Sequence, residues 1–253
     1  MFDQFPDFII NRIGAPSASK HVIPGSTPVP FFGNFLDASI YTIGINPSHN
    51  EFLSSSGKLL SMKEKRLSDY ETLKISHIEG LNPISVSHSE EILNSCLNYF
   101  YRKPYKWFKV LDEVVNKPLE ASYFKGTACH LDLVQWATSP VWGQIVKQDA
   151  TGARDLLESD LLFVNQQIHW LRRKNRSLRS FFLSGRTVVE SLSDILNLEF
   201  VGKTQVDGKE TQYSLYRGQY DGVPVFGTSM NVPDVHTSDS HRKFLSGWLQ
   251  EKK

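Results

Sequence analysis

Short runs rich in apolar and β-branched residues alternate with segments of helical spacing, and this alternation constrains the fold more than any other feature of the chain. Ser39 to Ile45, Thr127 to Val134 and Leu178 to Leu183 read as strands. Ser87 to Lys117 reads as one helix or two, capped by Ser87 or Ser89 and broken at Pro104. Asp155 to Lys174, Gly185 to Leu196 and Ser238 to Gln250 read as further helices. Val201 to Tyr216 and Val223 to Thr228 read as extended, with Asp207-Gly208 as a hairpin turn. Strands alternating with helices predict an α/β fold, a three-layer α/β/α arrangement with helices on both faces of a mainly parallel sheet. No repeat or low-complexity tract interrupts the chain, so residues 1–253 read as a single domain, with residues 1–27 an N-terminal extension and 28–253 the core.

The composition narrows the function classes. Of 253 residues, 40% are apolar, and 28 Lys and Arg balance 27 Asp and Glu. That excludes a disordered tail and a wholly basic nucleic-acid coat, while leaving room for a local basic face. Two cysteines, Cys96 and Cys129, are too few for a disulfide framework, a four-cysteine zinc site or a cysteine-ligated iron–sulfur cluster. The first residues carry acids where a signal peptide is basic, and no run approaches eighteen apolar residues. The expectation is a cytoplasmic monomer without a membrane partner. The histidines show no HExxH or comparable spacing, and no glycine-rich phosphate loop is present, so neither a metal nor a cofactor is expected.

In parallel sheets ligands bind at the carboxyl ends of the strands. The first strand ends in Gly44-Ile45-Asn46-Pro47-Ser48, with Glu51-Phe52 following, where proline stiffens the turn that presents the asparagine. The second reads His130-Leu131-Asp132-Leu133-Val134, and the two-residue period puts His130 and Asp132 on one face. A central parallel strand is almost wholly apolar and a buried carboxylate is costly, so Asp132 needs a partner. A ligand is one; an arginine or a loop cap is another.

These motifs, in this order, resemble the uracil-DNA glycosylase superfamily over roughly Pro28 to Leu249. The resemblance implies a four-stranded, mainly parallel central sheet. It also implies that Asn46 positions the attacking water, Ser48 being a small departure from the family's usual glycine. Asp132 falls where the family carries an asparagine that reads the flipped-out uracil. The family's last motif corresponds to Ser229-Met230-Asn231-Val232-Pro233-Asp234 and the following His236, and Asn231, Ser229, His236 or His241 stands where the second substrate-contacting group belongs.

A carboxylate at position 132 repels uracil O4 but accepts from cytosine N4, a contact worth about 1–3 kcal/mol of discrimination. A neutral acid there would also donate to N3. The base expected is therefore a cytosine derivative. Because excision of ordinary cytosine would destroy the host genome, a 5-modified cytosine such as a hydroxymethylated or glucosylated base of viral DNA fits best, in a defence role. Ile45, Phe52 and Trp136 are the candidates to line or stack on the base, with core packing the alternative for the aromatics. Ser48, His49, Lys63, Lys65, Arg66, Ser229 and His241 are the candidate DNA contacts. Arg172, Arg173, Lys174, Arg176 and Arg179 form the densest basic run, and Arg172 to Arg176 read more simply as a solvated helix end. With no lysine nucleophile required, the expected chemistry is hydrolysis to an abasic site. The rivals are a uracil or deaminated-base repair glycosylase, a catalytically silent DNA-binding module and a hydrolase of free nucleosides.

Overall fold

The apolar runs are strands. The computed structural model describes residues 4–15, 17, 19–75, 84–206, 208, 210–234 and 236–251. In chain order its strands are β1 (Phe32–Gly33), β2 (Ile40–Gly44), β3 (Ala128–Asp132), β4 (Ser180–Ser184), β5 (Glu199–Lys203), β6 (Ser214–Tyr220) and β7 (Val223–Thr228). The α-helices are α1 (Asp7–Gly14), α2 (Val86–Leu97), α3 (Trp107–Leu111), α4 (Trp142–Gln148), α5 (Ala150–Lys174), α6 (Arg186–Leu192) and α7 (Asp239–Glu251). Asp207 of the expected hairpin turn lies outside the described residues.

By contacts the chain divides into two compact units that interleave in sequence. One comprises Met1–Gly33, Asn46–Pro104 and Asp132–His169; the other comprises Asn34–Ile45, Tyr105–Leu131 and Trp170–Lys253. The second unit carries the sheet, in the order β3-β2-β4-β7-β6-β5, with Asp132 at the end of β3 counted in the first. β2, β4 and β7 run parallel. β6 is antiparallel to β7, and β5 to β6, so the sheet is mixed rather than purely parallel. Every residue of β3 and β4 is buried, as strands covered on both faces must be, whereas β5 at the edge is mostly exposed.

Two helix starts differ from expectation for local reasons. α2 starts at Val86 because Ser85 makes a reciprocal cap: its hydroxyl accepts from His88 N–H while His88 Nδ1 accepts from Ser85 N–H. α5 starts at Ala150 because the Asp149 carboxylate accepts from Gly152 N–H at 3.0 Å. Asp149 also holds Lys20 and His21, and these contacts, led by the Gly152 bond, lower its pKa.

In the second unit, several buried polar side chains are satisfied by the fold. His130 Nδ1 bonds Thr42 Oγ1 at 2.7 Å, Thr42 also meets the Tyr123 hydroxyl, and the His130 ring takes the edges of Trp107 and Phe108. Asn175 donates to the Tyr41 hydroxyl and to the Ala38 carbonyl. His130, one of the two polar residues on its face of β3, is thus accounted for by the fold.

Candidate active site

The turn after β2 fixes one amide in one orientation. Asn46 Nδ2 donates to Thr138 Oγ1 at 3.0 Å, to the Pro47 carbonyl at 3.2 Å and to the Trp136 carbonyl at 3.4 Å. A carbonyl oxygen can only accept, so the atom facing Trp136 and Pro47 must be the nitrogen. Oδ1 is left turned away from these contacts, with no hydrogen-bond partner among the described residues. The side chain is half-buried and offers a single, oriented acceptor. Ser48 shapes the turn, its hydroxyl accepting from Asn50 N–H to cap the short 3₁₀ turn His49–Glu51.

The partner loop after β3 is braced from far away in sequence. Gln135 Nε2 donates to the carbonyls of Asp132 and Leu133, and its backbone N–H donates to Asp160 Oδ2. Arg12 of α1 closes the brace, with Nε on Gln135 Oε1 at 3.0 Å and Nη2 on Asp160 Oδ1 at 2.5 Å. Its guanidinium also lies over the Trp136 ring, 5.8 Å from the centroid. Arg12, within the segment read as an extension, therefore holds the loop that follows Asp132. Leaving Asp160 buried without its cation should cost about 3 kcal/mol. Arg12→Ala is expected to lower the urea midpoint accordingly, and Arg12→Lys to rescue little, because a flexible ammonium lacks the planar fork that sets Nε and Nη2 on the two acceptors. Equal stability of Arg12→Lys and wild type would contradict the bracing role.

Two carboxyls are enclosed in this unit. Asp132 is 2% exposed and Glu51 is 1% exposed. The Tyr99 hydroxyl donates to Glu51 Oε1 at 2.7 Å, while Oε2 is buried with no hydrogen-bond partner among the described residues. Burial pushes the Glu51 pKa up to about 7, and the Asp132 charge adds to this; the Tyr99 bond and Arg66 oppose it. Sequence reasoning noted Glu51 only as a follower of the Asn46 motif. An acid five residues after the motif asparagine, next to the buried Phe52, was the signal that its burial could have been suspected.

The stability consequence has a definite sign. A carboxyl raised by folding keeps a proton that the unfolded chain has released, so stability is lost as pH rises from 4.5 through about 7. Relative to Glu51→Gln, wild type should lose on the order of 3 kcal/mol over that interval. Urea unfolding at a series of pH values checks this; parallel stability curves for the two proteins would refute it.

Other candidates have mixed placements. Ile45 and His49 are half-buried, and burial lowers the His49 pKa. Phe52 is buried, and Trp136 packs with Val134 and Leu156 in a core cluster. Lys65 is taken up by Asp69 and Glu71, at 2.7 and 2.6 Å. Arg66 donates to the carbonyls of Asn50 and Lys103, so it braces the turn that carries Glu51. Lys63 is exposed.

The remaining candidates belong to the second unit. Ser229 is zipped to β6, its hydroxyl accepting from Ser214 N–H. Asn231 is exposed in a turn whose carbonyl accepts from the Thr237 hydroxyl. His236 is exposed, its backbone N–H held by Asp234. His241 is buried, with Nε2 on the Thr211 carbonyl at 2.8 Å and Nδ1 on the Ser238 hydroxyl at 2.7 Å. Both ring nitrogens are thus engaged, which makes His241 a clasp at the start of α7. The arginine run ends α5 and borders a hollow lined by Arg172, Arg173, Arg176 and Val223. That hollow precedes β4 and adjoins the start of β7, at the opposite end of these strands from Ser184 and Thr228.

Among the described residues, no group of three His, Cys, Asp or Glu side chains is placed to hold a metal, and no helix is long and apolar enough to cross a membrane. A groove in the first unit, lined by Arg12, Lys20, His21, Asp149 and Asp160, runs beside the brace rather than at the two carboxyls. No known protein-family model matches the chain, and no curated protein matches it.

Proposed function

We propose that this protein is a monofunctional DNA glycosylase that hydrolyses the N-glycosidic bond of a flipped-out, 5-modified cytosine and leaves an abasic site. The observation that carries the reading is the Asn46 carboxamide, locked by Thr138 and the Trp136 carbonyl so that only its oxygen is presented. Hydrolysis of an N-glycoside passes through an oxocarbenium-like sugar, so a positioned water matters more than a strong base. An amide oxygen accepts a hydrogen bond from the water and aims the water oxygen at C1′. The C1′–N1 bond breaks with its electron pair staying on the base, the water oxygen bonds C1′ and gives up one proton to solvent, and the departing base takes up a proton in turn.

The resemblance of the strand-end motifs to the uracil-DNA glycosylase superfamily supports the same assignment, including its four-stranded α/β/α core. Asp132, at the end of β3, is the base reader, and its charge selects the N4 amino group of a cytosine over the O4 oxygen of uracil. Because Asp132 and Glu51 are closed off from solvent, base entry has to displace side chains packed over them. Of the three basic candidates in the first unit, Lys63 is left available as a DNA contact, since Lys65 and Arg66 are engaged inside the fold. Asn231 and His236 are the exposed members of the second motif.

The test is a set of duplex oligonucleotides carrying uracil, cytosine, 5-methylcytosine, 5-hydroxymethylcytosine or its glucosylated form, followed by alkali to cut abasic sites. Strand cutting at a 5-modified cytosine is expected. Cutting only at uracil would replace this reading with a repair glycosylase, and no cutting on any of them would sink the glycosylase reading.

A further inference from the structure

Glu51 is a second buried acid beside the base reader, and its geometry assigns it a use. Its two oxygens differ: Oε1 accepts from the Tyr99 hydroxyl, and Oε2 is enclosed without a partner among the described residues. The turn that carries it begins three residues after Asn46 and is fixed by the Ser48 cap and by the Arg66 bond to the Asn50 carbonyl. An ionised carboxylate with one oxygen enclosed and unbonded is a costly arrangement. A neutral carboxyl there, with Oε1 occupied by Tyr99, carries its proton on Oε2 and presents it as a donor.

We propose that Glu51 is a specificity-determining residue that donates a hydrogen bond from Oε2 to N3 of the flipped cytosine while the Asp132 side chain accepts from N4. This rests on the glycosylase reading and deepens it. The pair offers one donor and one acceptor, the complement of the cytosine edge and a mismatch to uracil, whose N3 is a donor and whose position 4 is an oxygen. Two ionised carboxylates would leave N3 facing a second acceptor. Around Glu51, Asp132 opposes its ionisation, whereas Arg66 and the Tyr99 bond to Oε1 favour it. Burial outweighs the favourable contributions and keeps the proton on Glu51 up to about pH 7.

Glutamine at this position keeps an acceptor for Tyr99 and puts a permanent N–H donor where Oε2 lies; leucine removes both. The test measures kcat/KM on a duplex bearing 5-hydroxymethylcytosine from about pH 5.5 to about 8.5, for wild type, Glu51→Gln and Glu51→Leu, with thermal melting as the fold control. Wild-type kcat/KM should fall about tenfold per pH unit above about 7. Glu51→Gln should stay within about threefold of wild type at pH 6 and lack that fall, and Glu51→Leu should lose at least about 30-fold. The same alkaline fall in Glu51→Gln as in wild type, or full activity in a folded Glu51→Leu, would overturn the assignment. If Glu51→Leu does not fold, the Glu51→Gln profile decides alone. If wild type releases no base from any oligonucleotide, the glycosylase reading fails and this inference with it; if wild type is active and both variants match it at every pH, only the inference fails.

Discussion

Asn46→Ala is expected to lower excision of a 5-modified cytosine by about 10²–10³-fold while leaving DNA binding and the fold in place. Alanine removes the one oriented acceptor available to the water, and the base contacts remain to supply the residual rate. Three hydrogen bonds from a half-buried amide are lost as well, a cost of about 1–3 kcal/mol that urea unfolding should register without loss of cooperativity. Asn46→Asp is not the mild change it resembles. The atom replacing Nδ2 would be an oxygen set against the Pro47 and Trp136 carbonyls, so either the carboxylate turns away or it binds a proton. Its activity should therefore lie well below wild type. Single-turnover rates for the three proteins check the series, and wild-type rates in Asn46→Ala would remove Asn46 from the chemistry.

Asp132→Asn should exchange base preference. An asparagine donates to uracil O4, and Glu51, whose pKa the Asp132 charge no longer holds up, can accept from N3–H as a carboxylate, so the variant gains uracil excision as it loses the cytosine derivative. Each contact is worth about 1–3 kcal/mol, and the ratio of kcat/KM for the two bases should move by at least about 10²-fold. A second readout follows from the Glu51 pair. The Asp132 charge helps to hold the Glu51 pKa up, so removing it should shift the alkaline fall in activity toward lower pH. Unchanged selectivity in a folded Asp132→Asn would mean that Asp132 does not read the base.

The elements that position this site were legible because they are local patterns. The strands behind Asn46, Asp132 and Ser184 announce themselves as short apolar runs, and a parallel arrangement follows from the helices between them. α1 and α4 were not read. Yet Ile9 and Ile13, four residues apart and fully buried just after Pro6, carry the usual sign of a helix. The site's supports are contacts between residues distant in sequence, on which local pattern is silent. Thr138 fixes the Asn46 amide from 92 residues away, and Arg12 reaches Asp160 across 148. The basic residues show the converse. Lys63, Lys65 and Arg66 look alike as a charge cluster, but an ion pair takes one, a pair of carbonyls takes another, and only their surroundings distinguish them. Likewise His241 reads as a free histidine until both its nitrogens are seen to be bonded.

The most direct test of the central claim is to incubate the protein with DNA in which 5-hydroxymethylcytosine, free or glucosylated, replaces cytosine, and to measure by mass spectrometry the bases released into solution. The expected products are the free modified base and an intact but abasic sugar–phosphate backbone, with no release from ordinary DNA. Release of uracil alone from uracil-containing DNA, or of no base from any DNA, would contradict it.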